Sequence, residues 1–308
     1  MSMNDFINSK VIEYVVMNPS QNITILATTS DDDYDYDYGF IAKKLLKLEP
    51  TAEQVGFLQY GDNCDIMLNM AGGEFCGNAT MSAAVYYGIM NGVSDGNVIV
   101  KSSGVDEPVN VHIKKTNDWE GIVEMPEALE ICEVDFGNGE KYPVVFFKGI
   151  AHVIIDKNAL NVKKYVDTRN KLSDSEEFEN RIIFDNENKK HLESKIKEWC
   201  EGLEMPALGV MLCDGLLKFA PTNTQFAPTE LSVTPLVYVK SIDSLYWESS
   251  CASGTTAVGA YLLDKYKKKI NVDVKQASGT VLNVESTEDN KLLLKGKVKF
   301  LYKKSIMI

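Results

Sequence analysis

The chain carries one motif order twice, and that repeat constrains its fold more than any other feature. Cys76 stands 28 positions before Gly104, and Cys251 stands the same 28 before Gly279. Each cysteine is followed by small residues and a helical stretch with a tyrosine ten positions on, Tyr86 and Tyr261. An N-V-x-V-K strand ending in Ser-Gly comes next, at residues 97–104 and, with one extra residue, at 271–279. Such self-similarity predicts two homologous α/β (α+β) domains of about 130–180 residues meeting face to face. The expected division is 1–130, carrying Cys76, and 131–308, carrying Cys251, with the last strand free to pack back on the first domain.

Short β-type runs surround the helices. In the first half they are VIEYVVM, ITILATT, VGFLQY, DIMLNM, NVIVKSS, VNVHIKK and GIVEM. One helix is read in GFIAKKLLKL and another after Cys76, stopped by Asn91-Gly92. The second half repeats this with PVVFFK, HVIID, a helix in HLESKIKEWCEG, then LGVMLCD, LKFA, PLVYV, LYWE and a helix after Cys251. The strands VDVKQ, VLNVE and KLLLKGKVKFLY close the chain. The charged segment 163–198 has no equivalent in the first half and is expected on an outer surface.

Composition excludes several functions. With 44% apolar residues in 308, the chain can bury a two-domain core. Its net charge of −12 repels nucleic acid and anionic membrane but not small anions, since local sites can be positive. No apolar run approaches ~18 residues, and the N-terminus lacks the features of a secretory signal. Six scattered cysteines without a C-x-x-C pair read as free thiols, so a cytoplasmic protein is expected. Three distant histidines give no zinc site, and no G-x-G-x-x-G or Walker string implies a nucleotide. The acidic run 31–38 lacks the ligand spacing of a Ca²⁺ loop and reads as a solvated turn.

The chemistry concentrates at the two repeated cysteines. Each opens a helix within a small-residue collar, Cys76-Gly77-Asn78-Ala79-Thr80 and Cys251-Ala252-Ser253-Gly254-Thr255. A helix N-terminus is expected to lower a thiol pKa and to bind a carboxylate on its free N–H groups, here near Gly77, Asn78, Ser253 and Gly254. Two such ends facing each other would hold an amino acid between two sulfurs. One thiolate could then take the α-proton from one face while the other thiol returns a proton to the opposite face, inverting the centre. Buried core cysteines are common, but two at equivalent positions favour function. Cys64, Cys132, Cys200 and Cys213 read as structural. A Cys-His hydrolase built on Cys251 with His112, His152 or His191 would leave Cys76 and the duplication unexplained. A non-catalytic amino-acid-binding protein would need the helix ends but not the thiols. The thiol pair also makes pyridoxal phosphate unnecessary.

The stretches GGEFCGNATMSAA and SSCASGTTAVGAY, in this order in a two-domain repeat, resemble the paired motifs of the diaminopimelate epimerase-like superfamily of cofactor-independent amino-acid racemases and epimerases. The likeness spans nearly the whole chain and implies two pseudo-symmetric domains, each a mixed sheet or barrel around a central helix. The presence of both cysteines favours a racemase over relatives that lack the second. The resemblance further implies Asn22, Gln54 and Asn69 at the substrate, His152 beside Cys76 as an orienting or relaying partner, and Glu248 as partner of Cys251. It also suggests a homodimer, with a free amino acid as the small-molecule partner. Diaminopimelate itself is disfavoured, because Trp247-Glu248-Ser249-Ser250 lacks the arginine and Ile150 replaces an asparagine that hold its far end. Unpaired on burial, each polar group there would cost ~1–3 kcal/mol. The wording of both motifs is most similar to the histidine racemase branch of metallophore synthesis, so histidine is the expected substrate.

Overall fold

The computed structural model describes residues 11–28, 37–61, 63–137, 139–157, 189–216 and 231–307. The acidic run from residue 31 to 36, LKFA, and most of the charged segment, 163–188, lie outside the described residues.

In the first half, β1 (Val11–Pro19) and β2 (Thr24–Thr28) are followed by α1 (Tyr38–Leu48), β3 (Gln54–Gln59) and β4 (Ile66–Met70). Next come α2 (Gly77–Asn91), β5 (Asp95–Ser102), β6 (Val109–Lys115) and β7 (Trp119–Glu124). The second half runs β8 (Glu130–Asp135), β9 (Lys141–Phe147), β10 (Ile150–Asp156), a helix α3 over 189–202, β11 (Ala207–Asp214), β12 (Leu231–Val239) and β13 (Ser244–Trp247). It ends with α4 (Ala252–Tyr266), β14 (Asn271–Lys275), β15 (Val281–Ser286) and β16 (Leu292–Met307).

The repeat reappears as topology. β2 and β3 pair in parallel across α1, as β10 and β11 do across α3. β4 pairs with β5 in parallel across α2, as β12 does with β14 across α4. Strands β1 to β7 run in order round to β16, which returns to β1 and closes a barrel. The order continues from β16 through β15, β14, β12, β11, β10 and β9 to β8 as an open, curved sheet. The long last strand therefore serves both halves, pairing with β15 at one end and with β1 at the other.

Each half encloses one helix. Residues 77–86 of α2 and 252–260 of α4 are buried without interruption, which requires strands on every side. Ala, Gly, Ser and Thr dominate both stretches, so the strands can approach closely. Gly92, in the left-handed region at φ 71°, ends α2 where the Asn-Gly pair predicts a stop. α1 and α3 are amphipathic and cover the outer faces. Leu192, Ile196, Trp199 and Cys200 of α3 pack on Ala151, Val153 and Ile155 of β10. One strand was not legible beforehand: β8, E-I-C-E-V-D, is an edge whose alternating acids leave little apolar signal. Among the described residues, no helix is long and apolar enough to cross a membrane.

Candidate active site

Cys76 and Cys251 occupy the same backbone conformation, φ −129°, ψ 108° and φ −127°, ψ 110°, as the N-caps of α2 and α4. Each sulfur takes the place of a Ser or Thr hydroxyl in an ordinary cap. The Ala79 N–H donates to Cys76 Sγ at 3.4 Å and the Gly254 N–H to Cys251 Sγ at 3.3 Å. The two helix starts meet. A Cβ on Gly77 would lie 2.9 Å from the Ala252 Cβ, and Asn78 Nδ2 donates to the Ser250 carbonyl at 3.0 Å. Helical geometry leaves the Gly77 and Asn78 N–H groups of one helix, and those of Ala252 and Ser253 of the other, without acceptors in their own helices.

Both thiols, Gln54, Asn78, Glu248 and Ser253 line one cavity of about 470 Å³. Three acids not singled out in the sequence line it too: Asp243, which pairs with Lys197, and, nearer in sequence to the expected site residues, Glu53 and Glu74. The only signals for the last two were adjacency to Gln54 and a lone acid among the small residues preceding Cys76.

The thiols have different partners. Cys76 Sγ donates to Gln54 Oε1 at 3.0 Å. Gln54 Nε2 in turn donates to Asn22 Oδ1 and, at 2.7 Å, to Thr24 Oγ1. Asn22 Nδ2 donates to Glu53 Oε2 at 2.9 Å, and that carboxylate also receives the Ser249 N–H at 3.1 Å, from the other half of the chain. Cys251 is hydrogen-bonded to Glu248, a carboxyl group, and lies 3.6 Å from Ser253 Oγ. Its backbone N–H donates to the buried Gln276 Oε1 at 3.1 Å.

The expectation of acidified thiols is overturned. Burial pushes Cys76 up to about 12 and Cys251 well above the ordinary thiol value. The capping N–H groups pull the other way but are outweighed by lost hydration and by the nearby Glu248. Burial also raises Glu248 to about 8 against its bond with Cys251, and Glu53 and Glu74 add to the rise. Both thiols thus hold their protons.

Other expected positions fall elsewhere. Asn22 is buried and does not line the cavity; it holds Gln54 and Glu53. Asn69 lies on β4 and donates to Gln59 Oε1 at 3.4 Å, also off the cavity lining. Gly77 serves as the contact between helices, and the Gly254 N–H is already taken by Cys251 Sγ. His152 is not bonded to Cys76. It is fully buried with neither ring nitrogen partnered among the described residues, and burial lowers it to about 3. Strand alternation points it with Ile150 and Ile154 toward the main core, where its ring fills the space that a side chain on Gly209 would occupy.

Comparison with known proteins agrees with this architecture. Residues 11–183, and again residues 179–302, match the family described as the histidine racemase CntK N-terminal domain. A histidine racemase of Fusobacterium nucleatum subsp. nucleatum is 29% identical over 97% of this chain and 98% of its own length. One from Staphylococcus aureus is 30% identical over 82% of this chain and 81% of its own. A hydroxyproline epimerase structure from Agrobacterium vitis, with bound trans-4-OH-L-proline, superposes with a TM-score of 0.62 at 10% identity, covering 97% of this chain and 93% of that one. At that identity it shows the fold alone. The two cysteine motifs therefore point the right way: the chain belongs to the family of histidine racemase CntK N-terminal domains, and it is an isomerase of the amino-acid racemase and epimerase kind.

Proposed function

We propose that this enzyme racemises free histidine without a cofactor, using Cys76 and Cys251 as the two acid–base groups. The observation that carries the reading is the pair of thiols capping two helices whose first turns touch at one cavity. The family match supports the side chain, as its named relatives are histidine racemases.

The substrate carboxylate sits on the free N–H groups of Gly77, Asn78, Ala252 and Ser253, where two helix dipoles converge. This places Cα between the sulfurs. In one direction, Cys251 passes its proton to the Glu248 carboxylate and becomes the thiolate. It then takes the Cα proton, forming S–H as the C–H bond breaks. The electron pair moves into the carboxylate, giving an enediolate held by the same N–H groups. Cys76 S–H donates to the opposite face of Cα and is left as the thiolate. The next substrate, of the opposite hand, runs the sequence in reverse. Burial is the main reason both thiols stay protonated, and the arriving α-ammonium offsets the carboxylate charges that add to it, so deprotonation follows binding.

The test is solvent exchange. In D₂O with L-histidine and no pyridoxal phosphate, deuterium at Cα and D-histidine should appear together, and both should vanish in Cys76→Ser and in Cys251→Ser. Undiminished turnover in either variant overturns the two-thiol reading. Exchange with another amino acid but not histidine overturns the substrate.

A further inference from the structure

Four carboxylates line the cavity, and three have partners that account for them, Asp243 pairing with Lys197. Glu53 joins the halves through Asn22 and Ser249, and Glu248 is bonded to the Cys251 thiol. Glu74 differs. Burial raises its pKa, the backbone of Gly72 and of Glu74 itself pulling the other way, and its Oε2 is shut off from solvent with no hydrogen-bond partner among the described residues. A buried acceptor left unmet is costly unless something supplies a donor.

The surroundings indicate what that donor is. Gly72 has no side chain, and a Cβ there would collide with Glu74 Oε2 and lie 2.6 Å from Val239 Cγ1. The free oxygen and a valine methyl therefore both face the bare Gly72 Cα. Away from the thiols, the cavity wall continues with Ala71, Val237, Val239 and Ile242. A flat, partly apolar ring carrying one N–H meets both needs. The α-ammonium belongs at the other end, because Cα must lie between the sulfurs, where Glu248 stands.

We propose that Glu74, whose side chain lines the cavity, determines the substrate side chain by turning its unpartnered carboxylate oxygen to accept the imidazole N–H of histidine. This rests on the reading of the chain as a histidine racemase. Glu74 also contributes to holding the Cys76 proton in place, so a ring N–H that partly offsets its charge aids deprotonation at that thiol. Selectivity should then appear in kcat as well as in KM.

The experiment compares histidine with 3-(2-thienyl)alanine, whose ring is of similar size but has no N–H. Cα deuterium exchange is followed for hours so that slow turnover is counted. Sites built around a hydrogen bond reject analogues lacking it by large factors. The wild-type kcat/KM should favour histidine by at least ~100-fold, and Glu74→Leu should cut that ratio at least ~10-fold, because histidine loses an acceptor that the analogue never used. Glu74→Gln, nearly isosteric, should do the same to a smaller degree, with the loss growing as pH falls and the substrate ring becomes cationic. It also serves if the leucine variant does not fold. An unchanged ratio overturns the proposal, whether both substrates fall together or neither falls. Absence of histidine exchange in the wild type is a separate result and refutes the substrate reading instead.

Discussion

Gly77 and Ala252 share one methyl group between two helices: a Cβ on Gly77 would stand 2.9 Å from the Ala252 Cβ and 3.1 Å from the Met125 methyl. An alanine Cβ has no torsion with which to yield, so Gly77→Ala must push the helix starts apart and the thiols with them. Overpacking of this kind costs about 1–3 kcal/mol, and displacements near 1 Å can slow a positioned reaction ~100-fold. Gly77→Ala should show both losses, in urea melts and in Cα exchange. The double variant Gly77→Ala/Ala252→Gly moves the methyl to the other side and should recover most of the activity. If the double variant is as poor as Gly77→Ala, the methyl contact is not what sets the spacing.

The unequal partners of the thiols give a pH signature. Gln54 can orient the Cys76 proton but cannot take it, whereas Glu248 can take that of Cys251 once ionised. With Glu248 raised to about 8, kcat/KM should climb as pH rises through 8 and level off above it. Glu248→Gln should lower kcat by ~10²–10⁴-fold and remove that inflection from the profile. A profile with the same inflection in the variant assigns the ionisation to another group.

Much of this centre was legible because it rests on local rules. A small-residue collar after a cysteine reads as a helix start, and a duplicated spacing reads as a duplicated fold. Cys76 and Cys251 follow from those two facts, and so do Asn78 and Ser253 beside them. Glu53 and Glu74 were not legible, because their roles depend on which strands and loops meet across the halves, as the Ser249 N–H does at Glu53. The thiol pKa was misread for a related reason. A helix end is a local feature and lowers it, but the depth of the surrounding fold is not local, and it dominates. His152 shows the same limit: the family resemblance implies a neighbour for Cys76, while strand alternation sends the ring into the core.

Asn22 acts through its neighbours. It receives Gln54 Nε2 and donates to Glu53, so it holds the partner of Cys76 and the carboxylate that joins the halves, without lining the cavity. Removing it should loosen the orientation of the Cys76 proton more than it weakens substrate binding. Asn22→Ala is expected to lower kcat by ~10-fold or more with KM nearly unchanged, the pattern of a lost transition-state interaction. Asn22→Asp keeps the acceptor for Gln54 but faces Glu53 with a like charge, so it should be rescued partly by Glu53→Gln. A KM rise with constant kcat would instead place Asn22 in substrate binding.

His152 carries the last prediction, on stability in acid. Burial holds it neutral, with its pKa lowered from 6.5 to about 3, so the fold favours the uncharged ring. The stability that this contributes is fully present above pH 6.5 and is lost as pH falls from there toward 3, at up to about 1.4 kcal/mol per pH unit. His152→Leu cannot titrate, so its stability relative to the wild type should improve between pH 7 and pH 5 when urea midpoints are compared at both. The carboxylates common to the two proteins cancel in that difference. Because neither ring nitrogen bonds to a thiol, racemisation at pH 8 should persist in His152→Leu. A relative stability that does not change with pH would mean the ring is not held neutral. Loss of turnover in a folded variant would restore His152 to the role beside Cys76 that the family resemblance implies.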